Sequence, residues 1–131
     1  MYILDTNTLI YFFRGMGNVP GKLLATSPKD IAIPAIVIYE LEYGIAKSSA
    51  PRKRQAQLNE LCSLVSILPF GENEARSAAS IRAKLESKGT PIGPYDLLIA
   101  GTALEHKGIL VTNNLKEFSR VPKLKTENWY S

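Results

Sequence analysis

The stretch Tyr2-Ile3-Leu4-Asp5-Thr6-Asn7-Thr8-Leu9-Ile10 decides how the chain is read. Tyr2, Ile3 and Leu4 form a short continuous apolar run, which fits a strand covered on both faces. The residues that follow, through Tyr11, Phe12 and Phe13, lack period-two alternation and fit a helix. Asp5 then stands at the carboxyl end of a strand, and in open α/β sheets ligands bind at that edge. The same position suits a helix N-cap, because Asp and Thr side chains accept hydrogen bonds from the first free N–H groups. This segment alone leaves capping and chemistry level. Other acids must converge on the same edge to decide between them.

The 131 residues, 45% hydrophobic and 21% charged, describe one globular domain spanning 1–131 with a substantial core. No apolar run reaches the roughly 20 residues of a membrane helix. A strand beginning at Tyr2 leaves no room for a signal peptide, so the expected location is the cytoplasm. The one cysteine, Cys62, lies in an apolar segment and reads as a packing residue. A net charge of +4 suits an acidic partner, nucleic acid among them. The one histidine, His106, precedes Lys107-Gly108 at a helix end, where a cation complements the helix dipole. A metal-free ribonuclease built on two histidines is therefore excluded. The chain has no G-x-S-x-G, phosphate-binding loop, G-x-G-x-x-G or Cys/His ligand cluster, and carboxylate chemistry remains.

Further along, a short helix is expected from Lys22 to Ser27 and a strand over Ile31-Ala32-Ile33, with Pro34 in the first turn of the next helix. That helix, Ala35 to Ala46, is apolar nearly all round and is expected to be buried. Two carboxylates inside a buried helix call for a cation, a metal or a proton. Glu40 and Glu42 stand about 200° apart around the axis, so only one of them can face a given site. The residues alone do not choose between them. Lys47 to Arg54 is a basic break, read equally well as a solvated helix start or as a contact to an RNA backbone. An amphipathic helix follows, with Leu58, Leu61, Cys62 and Val65 on one stripe. Ile67 to Phe70 is a weak strand held to an edge by Pro69.

Glu72 to Lys88 reads as a long helix, its inner side carrying Ala75, Ala78, Ala79, Ile81, Arg82 and Leu85. Glu72 and Glu74 in its first turn are dipole partners. The loop from Gly89 to Gly93 is stiff, Pro94 opens a new helix, and Asp96 in its first turn aligns with Ile99, Ala100 and Ala103 on the core-facing stripe. A carboxylate there favours function over a dipole role. Ile109-Leu110-Val111 forms another buried strand followed by Thr112-Asn113-Asn114, repeating the pattern at the start of the chain. Were the two strands parallel neighbours, Asp5 and Asn114 would emerge at one edge. At most a short strand is expected near Leu124 to Thr126.

Strands alternating with helices imply a parallel sheet with helices on both faces. Asp5, a helix glutamate and Asp96 can meet at its carboxyl edge, where clustered carboxylates raise one another's pKa unless a cation lies between them. Oxygen ligands of this kind select Mg²⁺ or Mn²⁺. Four segments then resemble the PIN-domain ribonucleases, and among them the VapC toxins of bacterial toxin-antitoxin systems. They are Leu4-Asp5-Thr6-Asn7, Tyr39-Glu40-Leu41-Glu42-Tyr43-Gly44, Gly93-Pro94-Tyr95-Asp96 with Ile99-Ala100, and Val111-Thr112-Asn113-Asn114 with Glu117-Phe118. The resemblance spans essentially the whole chain. It implies a three-layer α/β/α sandwich with a mostly parallel sheet, and Mg²⁺-dependent endonucleolytic cleavage of RNA by an acidic triad of Asp5, Glu40 and Asp96. It selects Glu40 over Glu42, and it makes Thr6, Asn7, Thr112, Asn113 and Glu117 supporting residues.

Many members of that family carry a fourth acid where this chain has Asn114. A neutral amide coordinates through its carbonyl oxygen but adds no charge, and Glu117 offers a carboxylate nearby. The resemblance further implies a homodimer, a VapB-like antitoxin whose tail covers the site, operator DNA bound mainly through the antitoxin, and a structured RNA substrate. The Gly89 to Asp96 loop and the Thr-Asn-Asn segment resemble the subgroup that cuts the anticodon loop of initiator tRNA. Two rivals stand beside this reading. A phosphotransferase of the haloacid-dehalogenase type requires a second Asp two residues after the first, where this chain has Asn7. A catalytically inactive PIN scaffold that only binds RNA or protein is opposed by the intact Asp5, Glu40 and Asp96.

Overall fold

The computed structural model describes residues 1–131. Five strands, β1 (Tyr2–Leu4), β2 (Ile31–Pro34), β3 (Ser66–Leu68), β4 (Ile109–Val111) and β5 (Lys125–Glu127), form one sheet in the order β3-β2-β1-β4-β5. Every pairing is parallel, so the sheet is wholly rather than mostly parallel. Ile3, Leu4, Ala32, Ile33, Leu110 and Val111 are completely buried. Successive strand residues point to opposite faces, so unbroken burial means that both faces are covered.

Seven α-helices make the covering layers: α1 (Thr6–Arg14), α2 (Val19–Leu24), α3 (Ala35–Ala46), α4 (Pro51–Leu64), α5 (Glu72–Ser87), α6 (Pro94–Glu105) and α7 (Leu115–Phe118). The crossovers from β1 to β2 and from β2 to β3 step one way along the sheet, and the return from β3 to β4 reverses it. Right-handed crossovers therefore put α1 to α4 on one face and α5 to α7 on the other. The reversal leaves β1 and β4 side by side, with Leu4 in register with Val111. A crevice opens at the carboxyl ends of strands where the winding direction changes. Here that point is the start of α1 and the Thr112-Asn113-Asn114 turn.

Several expected elements move. The first short helix covers Val19–Leu24 rather than Lys22 to Ser27, because Pro20 is tolerated in a first helical turn. Pro34 ends β2 and caps α3 instead of lying inside it. The β3 strand is Ser66–Leu68, with Pro69 just beyond its end, at the sheet edge as Pro69 requires. The last strand begins at Lys125, one residue later than expected. On α5 only Ala78, Ile81 and Leu85 of the expected inner stripe are buried, together with Glu74, while Ala75, Ala79 and Arg82 face solvent.

The larger correction is α3. It is not buried all round: Val37 and Leu41 are its only fully buried residues, and Tyr39 and Tyr43 are 55% and 60% exposed. A tyrosine counted as apolar carries a hydroxyl that tolerates water, which is why a helix rich in tyrosine can lie at the surface. His106 has the structural role expected of it. Its Nε2 lies 2.9 Å from Glu74 Oε2, tying the end of α6 to the start of α5. Glu74 does more than complement a dipole, since its Oε1 also accepts the Gly71 N–H at 2.8 Å.

Candidate active site

Asp5 fills both roles left open by the sequence. Its Oδ1 accepts the Thr8 N–H at 2.9 Å and so caps α1. Its backbone N–H donates to Val111 O at 3.2 Å, continuing the β1–β4 ladder. Thr8 Oγ1 donates to Val111 O at 3.0 Å and closes the same seam. Burial pushes the Asp5 carboxyl above the usual range, against the lowering effect of Thr112 and Thr8.

The second acid arrives on α3. Thr6 Oγ1 donates to Glu40 Oε1 at 2.7 Å, which holds the glutamate against the start of α1. Glu42 points elsewhere, exposed and paired with Gln55 Nε2 at 3.3 Å. Asp96, in the first turn of α6, is half-buried. Its carboxyl is raised from 3.8 to about 7, first by burial, then by the charges of Glu117, Asp5 and Glu40. Asp5, Glu40 and Glu117, from three other segments, are all near enough to Asp96 to raise its pKa.

Glu117 is the fourth carboxylate of that patch. Its Oε1 accepts the Gly93 N–H at 2.6 Å and its Oε2 accepts Asn114 Nδ2 at 2.9 Å. These two donors, and Arg120 nearby, hold its carboxyl below the usual range. Asp96 Oδ2 and Glu117 Oε1 both lie 3.6 Å from the point where a Cβ on Gly93 would stand. Asn114 therefore orients Glu117 through its amide. Thr112 is buried, and its Oγ1 accepts the Asn114 N–H at 3.0 Å, shaping the turn. Asn7 and Asn113 are exposed at the rim, Asn113 accepting from Asn128 Nδ2 at 2.9 Å.

The structure thus brings Asp5, Glu40, Asp96 and Glu117 to one edge, with Thr6, Thr112 and Asn114 as their hydrogen-bonding supports. Sequence reasoning had no local signal for the Gly93 clamp on Glu117. It had a weak one for Asn114, whose spacing of three from Glu117 suits a helix N-cap pair. It also missed Tyr39 and Tyr95, whose hydroxyls lie 3.4 Å apart beside two of the acids.

All three ion pairs of the molecule lie elsewhere, at Arg76–Glu72, Arg82–Glu86 and His106–Glu74. No lysine or arginine forms an ion pair with the acidic edge, and its oxygen donors suit a hard divalent ion. The set fits such an ion in charge and chemistry. It does not form a closed cage as the side chains stand, since no group of three is spaced to hold a metal.

The parallel sheet with this acidic edge defines a class. The family model describing the PIN domain matches residues 2–124, and the chain belongs to the PIN-domain family, in its VapC group. It is 37% identical over 128 residues to the tRNA(fMet)-specific endonuclease VapC of Salmonella typhimurium strain LT2, covering 98% of this chain and 97% of that one. It is 39% identical over 131 residues to Ribonuclease VapC2 of Rickettsia felis, covering 98% of each. Among solved structures it resembles VapBC2 from Rickettsia felis bound to a DNA fragment from their promoter, with a TM-score of 0.90, 38% identity and 98% of each chain covered.

Proposed function

We propose that this chain is a divalent-metal-dependent endoribonuclease, the toxin of a toxin-antitoxin pair. The observation that carries the reading is the convergence of Asp5, Glu40 and Asp96 at the β1–β4 crevice with no ion pair to any of them; burial first, then the neighbouring carboxylates, raises the Asp96 pKa to about 7. Mg²⁺, with Mn²⁺ as a substitute, would be held by Asp5, Glu40 and Asp96, where it activates water and offsets the charge that develops on a phosphodiester.

The chain's own residues supply the rest. Thr6 fixes Glu40, and the Thr8 N–H fixes Asp5, so two of the three carboxylates are oriented before any ion arrives. Glu117, held by Gly93 and Asn114, takes the place of the fourth acid. Asp96 is the adaptable member: with its pKa raised to about 7, it would ionise with a cation bound beside it and so join Asp5 and Glu40 in holding the ion. Asn7 and Asn113, exposed at the rim, are placed to hydrogen-bond the substrate backbone.

The relatives' names support RNA as substrate, and those that specify a target name tRNA(fMet). We extend this to a structured RNA, with the initiator tRNA anticodon loop as the favoured site of cutting. The Rickettsia neighbour is a VapBC complex on promoter DNA, which supports a VapB-like antitoxin as partner and operator DNA bound mainly through it. A homodimer is part of the same reading. No helix is long and apolar enough to cross a membrane.

The test uses purified, antitoxin-free protein. It is expected to cleave tRNA with Mg²⁺ or Mn²⁺, to stop on chelation, and to fall at least about 100-fold with Asp5→Asn, Glu40→Gln or Asp96→Asn while each variant melts cooperatively. Cleavage that persists in chelator, or in folded variants at all three positions, rejects the mechanism.

A further inference from the structure

A cavity of about 330 Å³ opens between α1, α3 and α4, and one of its walls is Glu40. It therefore continues from the acidic edge. Around it stand Arg14 from the end of α1, Ser48 and Ser49 from the connection after α3, and Arg54 and Gln57 from α4. Neither arginine enters an ion pair, and both line the same cavity as the Glu40 carboxylate. Gln57 Oε1 is the only buried side-chain polar atom in the molecule without a hydrogen-bond partner.

Neither feature serves the fold. Arg54 lies in the first turn of α4, which has no acid and no side-chain cap, and the helix dipole disfavours a cation there. A buried carbonyl left without a donor is destabilising. Both become favourable with the same occupant. A phosphate diester takes guanidinium forks, a nucleobase edge supplies N–H donors to an amide oxygen, and the apolar walls of Phe13, Ile45 and Leu58 suit a flat ring.

We propose that the Arg14–Arg54–Gln57 cavity is a nucleotide subsite. It holds the phosphate and base next to the scissile bond, so that the bond itself falls at Glu40 and its neighbouring acids. Arg14 and Arg54 hold the phosphate and Gln57 reads the base. The basic break noticed in the sequence then has a use in substrate positioning through Arg54. The proposal rests on the nuclease reading. Its rival occupant, an acidic protein tail, would use the arginines but leave RNA binding independent of them.

The experiment measures binding of a fluorescein-labelled single-stranded RNA dodecamer of mixed sequence to the full chain, by anisotropy in chelator across a range of KCl. Arg14→Gln and Arg54→Gln are each expected to weaken binding roughly tenfold at low salt, and to reduce the slope of log K against log salt by about 0.7. Gln57→Leu is expected to weaken binding with the slope unchanged, since it removes an acceptor and no charge. Arg54→Lys keeps the slope and loses affinity, which covers the case in which Arg54→Gln does not fold. Lys125→Gln, on β5 at the far side of β1 from β2 and β3, leaves both unchanged. With Mg²⁺ present, the two arginine variants raise KM far more than they lower kcat. Folded arginine variants with wild-type affinity and slope overturn the subsite. Absence of cleavage by the wild type counts against the nuclease reading instead, and the binding data still score the cavity.

Discussion

Asp96 is the residue whose behaviour says most about the site. Its folded-state pKa, about 7, lies above its ordinary value of 3.8, so the metal-free fold binds that proton more tightly than the unfolded chain does. Stability from this group is fully present below the unfolded value. It is lost as pH rises from about 4 to about 7 and stays lost above that. Thermal melts in chelator are therefore expected to show a falling contribution over that window, absent in Asp96→Asn, and Mg²⁺ should raise the melting temperature more at pH 8 than at pH 5. Equal melting curves for wild type and Asp96→Asn across the window would contradict this. Asp5 and Asp96 were legible in the sequence because each sits beside an element boundary, a strand end and a Pro-led helix start, whereas Glu40, in the middle of α3, was separated from Glu42 only by the family resemblance. Glu117 gained its place from two partners, Gly93 and Asn114, whose donation depends on tertiary approach.

At the scale of elements, the pair α5 and α6 decides whether Asp96 is presented correctly. Gly101 on α6 has no room for a methyl group, because a Cβ there would lie 2.8 Å from the Cβ of Ala78 on α5. Gly101→Ala is expected to cost about 1–3 kcal/mol as the helices are forced apart. That is a drop of several degrees in melting temperature, with cleavage reduced in the fraction that remains folded. An unchanged melting temperature would mean that the helices part without strain. The sequence marked this glycine as part of a helix and nothing more, since close approach between helices leaves no local trace. The exposure of α3 has a different cause, the tolerance of tyrosine hydroxyls for water. Its composition announced burial, while its tyrosines and Glu42 turn outward and only the Val37 and Leu41 side meets the core.

For the whole molecule, the order of strands was legible only as an alternation of β and α. The order β3-β2-β1-β4-β5 comes from where the crossovers reverse, which no short window of residues records. The exposed strip of Tyr39, Tyr43 and Tyr95, with Lys47 Nζ 4.9 Å from the Tyr43 ring centroid, bears on the proposed homodimer. If that strip is buried between copies, Tyr43→Glu shifts the protein from dimer to monomer in sedimentation with its melting behaviour retained. A dimer of unchanged affinity assigns self-association to another face.

The β1–β4 seam has a consequence for how such a protein is made. Thr8 waits 103 positions for its partner at Val111, and Asp5 shares that seam, so the acidic edge does not exist on a nascent chain until Val111 has left the ribosome. Translation itself acts as a timer: a product terminated before Val111 lacks the strand against which Asp5 and Thr8 are held.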